Sequence, residues 1–438
     1  MIGVEDRIAL VVPTYWTRAG GDVRPGDAVY DHPTPVDEAG TLGRLLESLT
    51  LLDTGRFYVV VIVAVTDPAV AAAAAARVRS IARTAPEMRV LVVDQDLVDR
   101  IERALGPGDG RGEAKVQGSN SGEGHDAGAR ALIGLSDYSR VRNLQLLVPL
   151  ALGVGPIVAI DDDEVVTDPS FLDLATADLG DRVSGHNVAG LGGYYLQNRE
   201  GQILLDVPSG SESAANIFDR KAAIMNAGTQ KLQALAGAIV PTPFCFGGNM
   251  VFTAELAATV CFDPAITRGE DIDYLVNARL AGHWFFMNKD LTILHLPPSG
   301  GSYQDVAYHK VVQDVLRFVY EREKLQAWSE IGAVEPVTAE DLDPYPGLFL
   351  KSDLDGYAEE VIQRIIDRTS ADQRVTLGLP NTPRELIRQA EARAGAGVES
   401  YRQHQEAWAA LVGNVKRSGE IRSILEEAMF GGTGRAVV

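Results

Sequence analysis

The chain has 438 residues, 46% hydrophobic and 23% charged, so it can bury a large core and hold more than one domain. Its net charge of −20 argues against a nucleic-acid or anionic-membrane partner, although a local basic site could still bind a phosphate. Two cysteines are too few for a disulfide scaffold and fit a reducing cytosol. The start of the chain lacks a signal-peptide pattern, and no apolar run approaches the ~20 residues that cross a bilayer. We therefore expect a cytoplasmic protein.

The first half of the chain alternates between strand-like and helical patterns. This alternation predicts a parallel sheet with helices on its faces, whose ligands bind at the carboxyl ends of the strands. The third predicted strand ends there in Asp94. In chain order, the predicted elements are a strand at 8–12 ended by Pro13-Thr14-Tyr15, a long polar loop at 16–34, a helix at 36–52, a strand at 57–65, a helix at 69–85 and a strand at 89–93.

The second half continues the pattern and ends in charged helical sequence. Its Gly-rich segments at 106–128 and 297–302 predict surface loops, the second of which could fold over a ligand. The other predicted elements are a helix at 138–152, a strand from 156, a short helix after Asp168, strands through 188–196, a helix at 219–236, a glycine-broken strand at 244–252, a helix to 281, strands at 284–287 and 291–296, a helix at 304–330, helices at 353–370 and 383–415, and a frayed tail at 431–434.

The acidic run Asp161-Asp162-Asp163-Glu164 directly follows the apolar segment 156–160. Like charges this close repel one another, and burying one unpaired is costly. They are best tolerated where a strand ends in a cleft and a divalent cation lies between them. The alternation places Asp161 and Asp163 toward one side and Asp162 toward the other. A solvated acidic turn is the simpler alternative.

Several motifs in order carry a family resemblance over residues 7–330. They are Pro13-Thr14-Tyr15, Arg142-Asn143, Asp161-Asp162-Asp163, Gly247-Gly248-Asn249, Gly269-Glu270-Asp271 and His295. This order resembles the nucleotide-sugar-dependent glycosyltransferases of the GT-A fold, closest in pattern to the inverting family 2.

The resemblance implies an α/β fold with a Rossmann-like mixed sheet flanked by helices. Residues 1–330 would form the catalytic domain, with a nucleotide-sugar half at 1–163 and an acceptor half at 164–330. Residues 331–438 read as a helical extension that caps this domain or mediates oligomerisation.

The resemblance also implies roles for single residues. Asp163 would bind Mn²⁺ or Mg²⁺, Asp161 would contact the ribose or a metal-bound water, and His295 would complete the coordination. Asp271 would be the general base beside Glu270, and Gly247, Gly248 and Asn249 would form the floor under the acceptor. The remaining donor-binding residues would be Pro13, Thr14, Tyr15, Asp94, Arg142, Asn143 and Asp162.

Two alternatives remain open. Retaining glycosyltransferases that act on glycerate or phosphoglycerate share the acidic triplet and the histidine. A sugar nucleotidylyltransferase would also use a metal, but that class usually has a glycine-rich, basic phosphate loop after its first strand, whereas Gly20-Gly21 lies well beyond the strand here and is followed by Asp22.

Two other classes are not expected. A calcium module would need regular ligand spacing, which residues 161–168 lack. A processive synthase would carry a Gln-x-x-Arg-Trp motif, and Gln313 and Arg317 have the wrong spacing for it.

Overall fold

The computed structural model describes residues 7–19, 30–106, 131–298, 304–331, 334–351, 354–371, 374 and 382–430. The predictions for residues 20–29, 107–128, 299–302 and the tail at 431–434 lie outside the described residues.

An eleven-stranded sheet organises the described part of the chain. Its strands are β1 (Ile8–Thr17), β2 (Thr34–Pro35), β3 (Phe57–Val65), β4 (Val90–Val93), β5 (Ile157–Ala159), β6 (Glu164–Val165), β7 (Arg182–Val183), β8 (His186–Leu196), β9 (Ile239–Pro241), β10 (Met250–Phe252) and β11 (Trp284–His295). The main path is β4-β3-β1-β5-β10-β8-β11-β6, with β2, β7 and β9 paired beside it. Four neighbouring strands of this path, β4, β3, β1 and β5, are mutually parallel, whereas β10 is antiparallel to both β5 and β8.

Both faces of the sheet are buried, because its central strands are apolar on both sides. In β1, Ala9 and Val11 pack into the core on one face, while Leu10 and Val12 pack into the core on the other. The helix Tyr138–Leu152 covers the first face, and the helix Leu42–Leu49 covers the second. The predicted mixed α/β sheet flanked by helices is therefore confirmed.

Most predicted helices are present, some with shorter bounds, and the described residues form four further α-helices that were not predicted. The four are Gln95–Leu105, Ala254–Thr259, Gly347–Lys351 and Gly419–Phe430. The others are Leu42–Leu49, Ala71–Ala82, Tyr138–Leu152, Phe171–Thr176, Lys221–Ala234, Glu270–Leu280, Gln304–Ile331, Asp355–Arg368 and Pro383–Arg417. None of the described helices is long and apolar enough to cross a membrane.

The prediction that Pro13 ends the first strand is wrong, since β1 continues to Thr17. Successive residues of a strand bond to opposite neighbours, and Ala9 N donates to Pro156 O (2.9 Å) on the β5 side. Pro13 lies four residues after Ala9, so the position of its missing N–H also faces β5. Strand β5 pairs only with residues 9–11 of β1, so Pro13 lies beyond this pairing and no hydrogen bond between the strands is lost.

The C-terminal helices pack against the sheet-bearing part of the chain. The helix Pro383–Arg417 lies on the helices Gln304–Ile331 and Tyr138–Leu152. Trp408 is fully buried, and its Nε1 donates to Ala257 O (3.0 Å). The extension therefore shares the main apolar core, while the domain boundary near residue 330 and a role in oligomerisation stay predictions.

Candidate active site

The acidic run lies at the carboxyl end of β5, where the parallel strands of the sheet end. Ile160 N donates to Val11 O (3.0 Å), so the chain stays beside β1 until it turns at Asp161. Glu164 then begins β6, where it is the register partner of His295 at the end of β11. The sheet topology thus brings the acidic run and His295 together.

Arg142 is the centre of a buried charge network. Its Nη1 and Nη2 donate to Oδ1 and Oδ2 of Asp161 at 2.8 and 3.3 Å, and its Nε donates to Oε1 of Glu270 at 3.1 Å. Burial raises the pKa of Glu270 to about 7, although Arg142 lowers it. In this conformation the guanidinium of Arg142 is buried and binds two carboxylates, and its contact with a donor stays a prediction.

Asp162 bonds to β1, whereas Asp161 bonds to Arg142 and Asp163 lies beside His295. Oδ2 of Asp162 accepts a hydrogen bond from Thr14 Oγ1 at 2.5 Å. Burial, with the nearby Asp163, raises the pKa of Asp162 to about 8. Both Thr14 and Asp162 therefore fasten the acidic turn to β1, and their predicted contact with a donor stays a prediction.

Asp163 and His295 face each other across the end of the sheet, with 3.4 Å between Asp163 Oδ2 and His295 Nε2. The imidazole stacks on the Tyr195 ring, with centroids 5.1 Å apart, and Tyr195 stacks on Phe246 at 4.7 Å. Stacking holds the imidazole plane so that Nε2 is directed at the carboxylate. This pair is the best-oriented part of the predicted metal site.

A divalent cation fits part of the predicted ligand set. Asp163 and His295 offer an oxygen and a nitrogen ligand at one place, which suits such a cation. Asp161, however, is held by Arg142. Among the described residues, no group of three or more His, Cys, Asp or Glu is arranged to hold a metal ion. The full set of Asp161, Asp163 and His295 stays a prediction that requires Asp161 to leave Arg142.

Asp271 is placed by the start of the helix Glu270–Leu280 and by the glycine turn. Its Oδ2 accepts from Gly247 N at 3.0 Å, and its Oδ1 accepts from Ile272 N at 2.8 Å. Asp271 is half-buried, beside the fully enclosed Glu270. It is thus the accessible carboxylate of the pair.

The glycines of the turn Gly247–Asn249 leave room for charged neighbours. A Cβ on Gly247 would lie 2.7 Å from Arg142 Nη2, and one on Gly248 would lie 2.6 Å from the carboxyl carbon of Glu164. Asn249 differs from the other two, because it is fully buried and directs Nδ2 to Leu291 O (3.4 Å). Asn249 thus anchors the turn through its side chain, and its place on an acceptor floor stays a prediction.

Three tyrosines enclose the side of the site next to β1. Tyr15 contacts Tyr30 and Tyr138 with ring centroids 4.3 and 5.2 Å apart, while Pro13 is buried within the strand. The hydroxyl of Tyr15 is buried and has no hydrogen-bond partner among the described residues. Burial raises its pKa, and Arg142 and Asp161 lie within electrostatic reach. Tyr15 therefore presents an unused donor toward the charge network.

Two predicted donor-binding residues serve the fold. Asp94 caps the helix Gln95–Leu105 by accepting from Leu97 N (3.1 Å), and its other oxygen pairs with Arg79 at 2.5 Å. Asn143 is fully buried and bonds both the amide and the carbonyl of Phe262, at 2.8 and 3.1 Å. The Asn143 side chain thus bonds a loop to the helix. The donor contacts of Asp94 and Asn143 stay predictions.

The structure brings to this site several residues for which no role was predicted. Glu164 is fully buried, its Oε2 accepts from Asp161 N at 3.0 Å, and burial raises its pKa well above the ordinary value. Tyr195 accepts from Gly248 N at 2.8 Å and carries the His295 ring. His32 lies within electrostatic reach of Asp163 and His295. Only Glu164 had a signal, namely its place at the end of the acidic run.

No protein-family model matches the chain, and a comparison with curated proteins finds no match. Among solved structures, the chain is similar to the mannosyltransferase PcManGT from Pyrobaculum calidifontis in complex with GDP-Man and Mn²⁺, with TM-score 0.40 and 14% identity over 90% of this chain and 87% of that chain. It is also similar to S. aureus TarS, with TM-score 0.35 and 12% identity over 91% and 55%. A third is glucosyl-3-phosphoglycerate synthase from Mycobacterium tuberculosis in complex with Mg²⁺ and uridine-diphosphate, with TM-score 0.31 and 16% identity over 72% and 83%. All three likenesses are distant.

Proposed function

We propose that the chain is a glycosyltransferase that moves a sugar from a nucleoside-diphosphate sugar to an acceptor hydroxyl. The observation that carries the proposal is the half-buried Asp271 carboxylate, which Gly247 N holds at 3.0 Å beside the Arg142–Asp161–Glu270 network. The order of motifs along the chain supports the same reaction. We propose further that the enzyme is non-processive and inverts the anomeric centre.

In this reaction the acceptor oxygen attacks the anomeric carbon as the bond from that carbon to the diphosphate breaks. The diphosphate leaves with the bonding electron pair, and the acceptor proton passes to a carboxylate oxygen of Asp271. Each oxygen of Asp271 already receives one backbone N–H, which leaves a further lone pair free to take the proton. Glu270 beside it is buried, so it suits a role in holding Arg142 rather than in accepting the proton.

Asp163 and His295 are the residues that would hold a divalent cation. When bound, such an ion would neutralise charge on the departing diphosphate as a Lewis acid. Mn²⁺ and Mg²⁺ are the candidates, because the Asp163 carboxylate is a hard oxygen ligand of the kind that both ions favour. The stacked Tyr195 would keep the imidazole directed at the same point as the Asp163 carboxylate.

The experiment that tests the function is a screen of sugar nucleotides with the purified chain. Release of nucleoside diphosphate is measured with Mn²⁺, with Mg²⁺ and with a chelator. We expect slow hydrolysis of one or a few donors with metal and none with the chelator. Mn²⁺ binding to the His295→Ala protein, followed by electron paramagnetic resonance, should be weaker than in the unmodified protein. Absence of both binding and hydrolysis for every donor would reject the proposal.

A further inference from the structure

A cluster of basic side chains lies beside the candidate active site and has no part in the reaction described above. We call Arg268, Lys310 and Lys221 the basic cluster. Their side chains are 22%, 30% and 23% exposed, so all three can be reached from solvent. They come from three separate segments, which converge on the carboxylates of Asp31 and Asp314.

The basic cluster has more positive charge than its carboxylates cancel. Asp31 pairs with both Arg268 (2.5 Å) and Lys310 (3.2 Å), so two cations share one anion. Asp314 pairs with Lys221 (2.7 Å) and lies 3.9 Å from the buried Arg317, so here too two cations share one anion.

A further acid, Glu321, lies on the Arg317 side of this group. It is 3.6 Å from Arg317, and burial raises its pKa although Arg317 lowers it. Even with Glu321 counted as fully charged, four cations face three anions among the described residues, in a chain whose formal net charge is −20.

The position of the basic cluster relates it to the reacting groups. Arg268 stands two residues before Glu270, at the start of the helix that carries Asp271. His32 connects the other side, because it lies within electrostatic reach of Lys310 and Asp31 as well as of Asp163 and His295. The cluster therefore borders the site between the candidate base and the Asp163–His295 pair.

We propose that the basic cluster binds a phosphate or carboxylate group of the acceptor. This inference rests on the proposed glycosyl transfer and names the acceptor class for it, a small hydroxylated anion. Guanidinium and ammonium groups are strong donors to such anions, and the excess charge favours them over neutral sugars. An acceptor held there by its anionic group would place a hydroxyl toward Asp271, which belongs to the helix next to Arg268.

Calorimetric titration with inorganic phosphate at constant ionic strength tests the basic cluster directly. We expect the unmodified protein to bind phosphate and the Lys310→Gln protein to bind it roughly tenfold more weakly, because one charge-assisted contact is lost. Arg268→Gln should weaken binding to a similar degree. The matched control is Lys416→Gln, which removes the same charge from an exposed position of the helix Pro383–Arg417 and should leave the affinity unchanged.

A second titration identifies the source of the anion. Phosphate binding is repeated in the presence of a saturating nucleoside diphosphate. Unchanged phosphate affinity supports a separate acceptor subsite, whereas displacement of phosphate by the nucleotide would assign the cluster to the donor and overturn the proposal. Equal affinities of the unmodified and Lys310→Gln proteins, or no phosphate binding at all, would also overturn it. Failure of the glycosyl-transfer proposal is seen separately, as a lack of sugar-nucleotide binding and hydrolysis.

Discussion

The backbone N–H of Gly247 donates to the Asp271 carboxylate at 3.0 Å, across 24 residues of sequence. This bond joins the glycine turn to the start of the helix Glu270–Leu280. It keeps the carboxylate at the mouth of the site while Glu270, the preceding residue, is turned inward to Arg142. Two adjacent acids thus have different surroundings and different chemistry.

Replacing Asp271 by Asn tests the proposed base. The amide can still accept the Gly247 N–H bond but cannot take a proton, so we expect the transfer rate to fall roughly 10²–10⁴-fold with donor binding retained. Asp290→Asn is the matched control, since Asp290 is exposed and outside the site, and its rate should not change. The anomeric configuration of the first product, measured by proton NMR, should be inverted. Retention would reject the assignment and favour the glycerate-type alternative.

Replacing Arg142 by Met tests the buried charge network. The change leaves Asp161 and Glu270 without their cation, and removing one partner of a buried pair typically costs about 3–5 kcal/mol. The free energy of unfolding in urea should fall by that order. Arg56→Met is the comparison, because Arg56 pairs with Asp173 at the surface and its loss should cost about 0–1 kcal/mol. Equal losses in the two proteins would contradict the role given to Arg142.

The pH dependence of stability tests the surroundings of Glu270. Its pKa in the folded chain is about 7, raised by burial above the ordinary value, so the folded state binds more protons than the unfolded state between those two values. Stability should therefore fall as pH rises toward 7, with a slope from this group of up to about 1.4 kcal/mol per pH unit. Glu270→Gln should remove this contribution. Unfolding curves of both proteins at pH 5, 6, 7 and 8 would show parallel profiles if Glu270 had an ordinary pKa.

A matched pair of leucines tests how much the C-terminal helices contribute to the stability of the whole chain. Leu411 lies in the core at 3% exposure, whereas Leu51 is 47% exposed. Leu411→Ala should lower the free energy of unfolding by about 2–5 kcal/mol, and Leu51→Ala by much less. A single cooperative transition, seen by far-ultraviolet circular dichroism and by tryptophan fluorescence, is expected in each protein. Separate transitions for the extension would contradict a shared core.

Sequence patterns predicted the parts of the fold that depend on local order. The strand Phe57–Val65 has the predicted bounds, because its nine consecutive apolar residues, most of which favour strands, are all buried, as in a strand covered on both faces. The prediction that the first strand ends at Pro13 failed for a non-local reason. The missing N–H of a proline disrupts a strand only where a neighbouring strand would accept its hydrogen bond. The helix Gln95–Leu105 was missed because Asp94 was interpreted as a ligand, whereas it is an N-cap.

In the candidate site, the acidic run could be found from its place directly after an apolar segment. The separation of Asp162 from Asp161 and Asp163 stays a prediction, because alternation holds along a strand and these residues lie in a turn after β5. The partners of Arg142 could not be predicted, because Asp161 and Glu270 lie 19 and 128 residues away from it. His32 and Lys310 carry no local signal either, since only the converging segments give them a common neighbour in Asp31.

The helix Pro383–Arg417 has a consequence for the order of events during synthesis. Ribosomes release a chain from its N-terminus onward, and early segments usually fold as they emerge. Here Trp408 covers Ala257, and Arg422 of the following helix binds the carbonyl of Leu152 at 3.1 Å, so these earlier helices are covered only after residues 408–422 have been made. The nascent chain must therefore carry uncovered apolar surface on these helices until that segment has left the ribosome. Such a chain would depend on chaperones during that interval more than one whose N-terminal part is closed by itself.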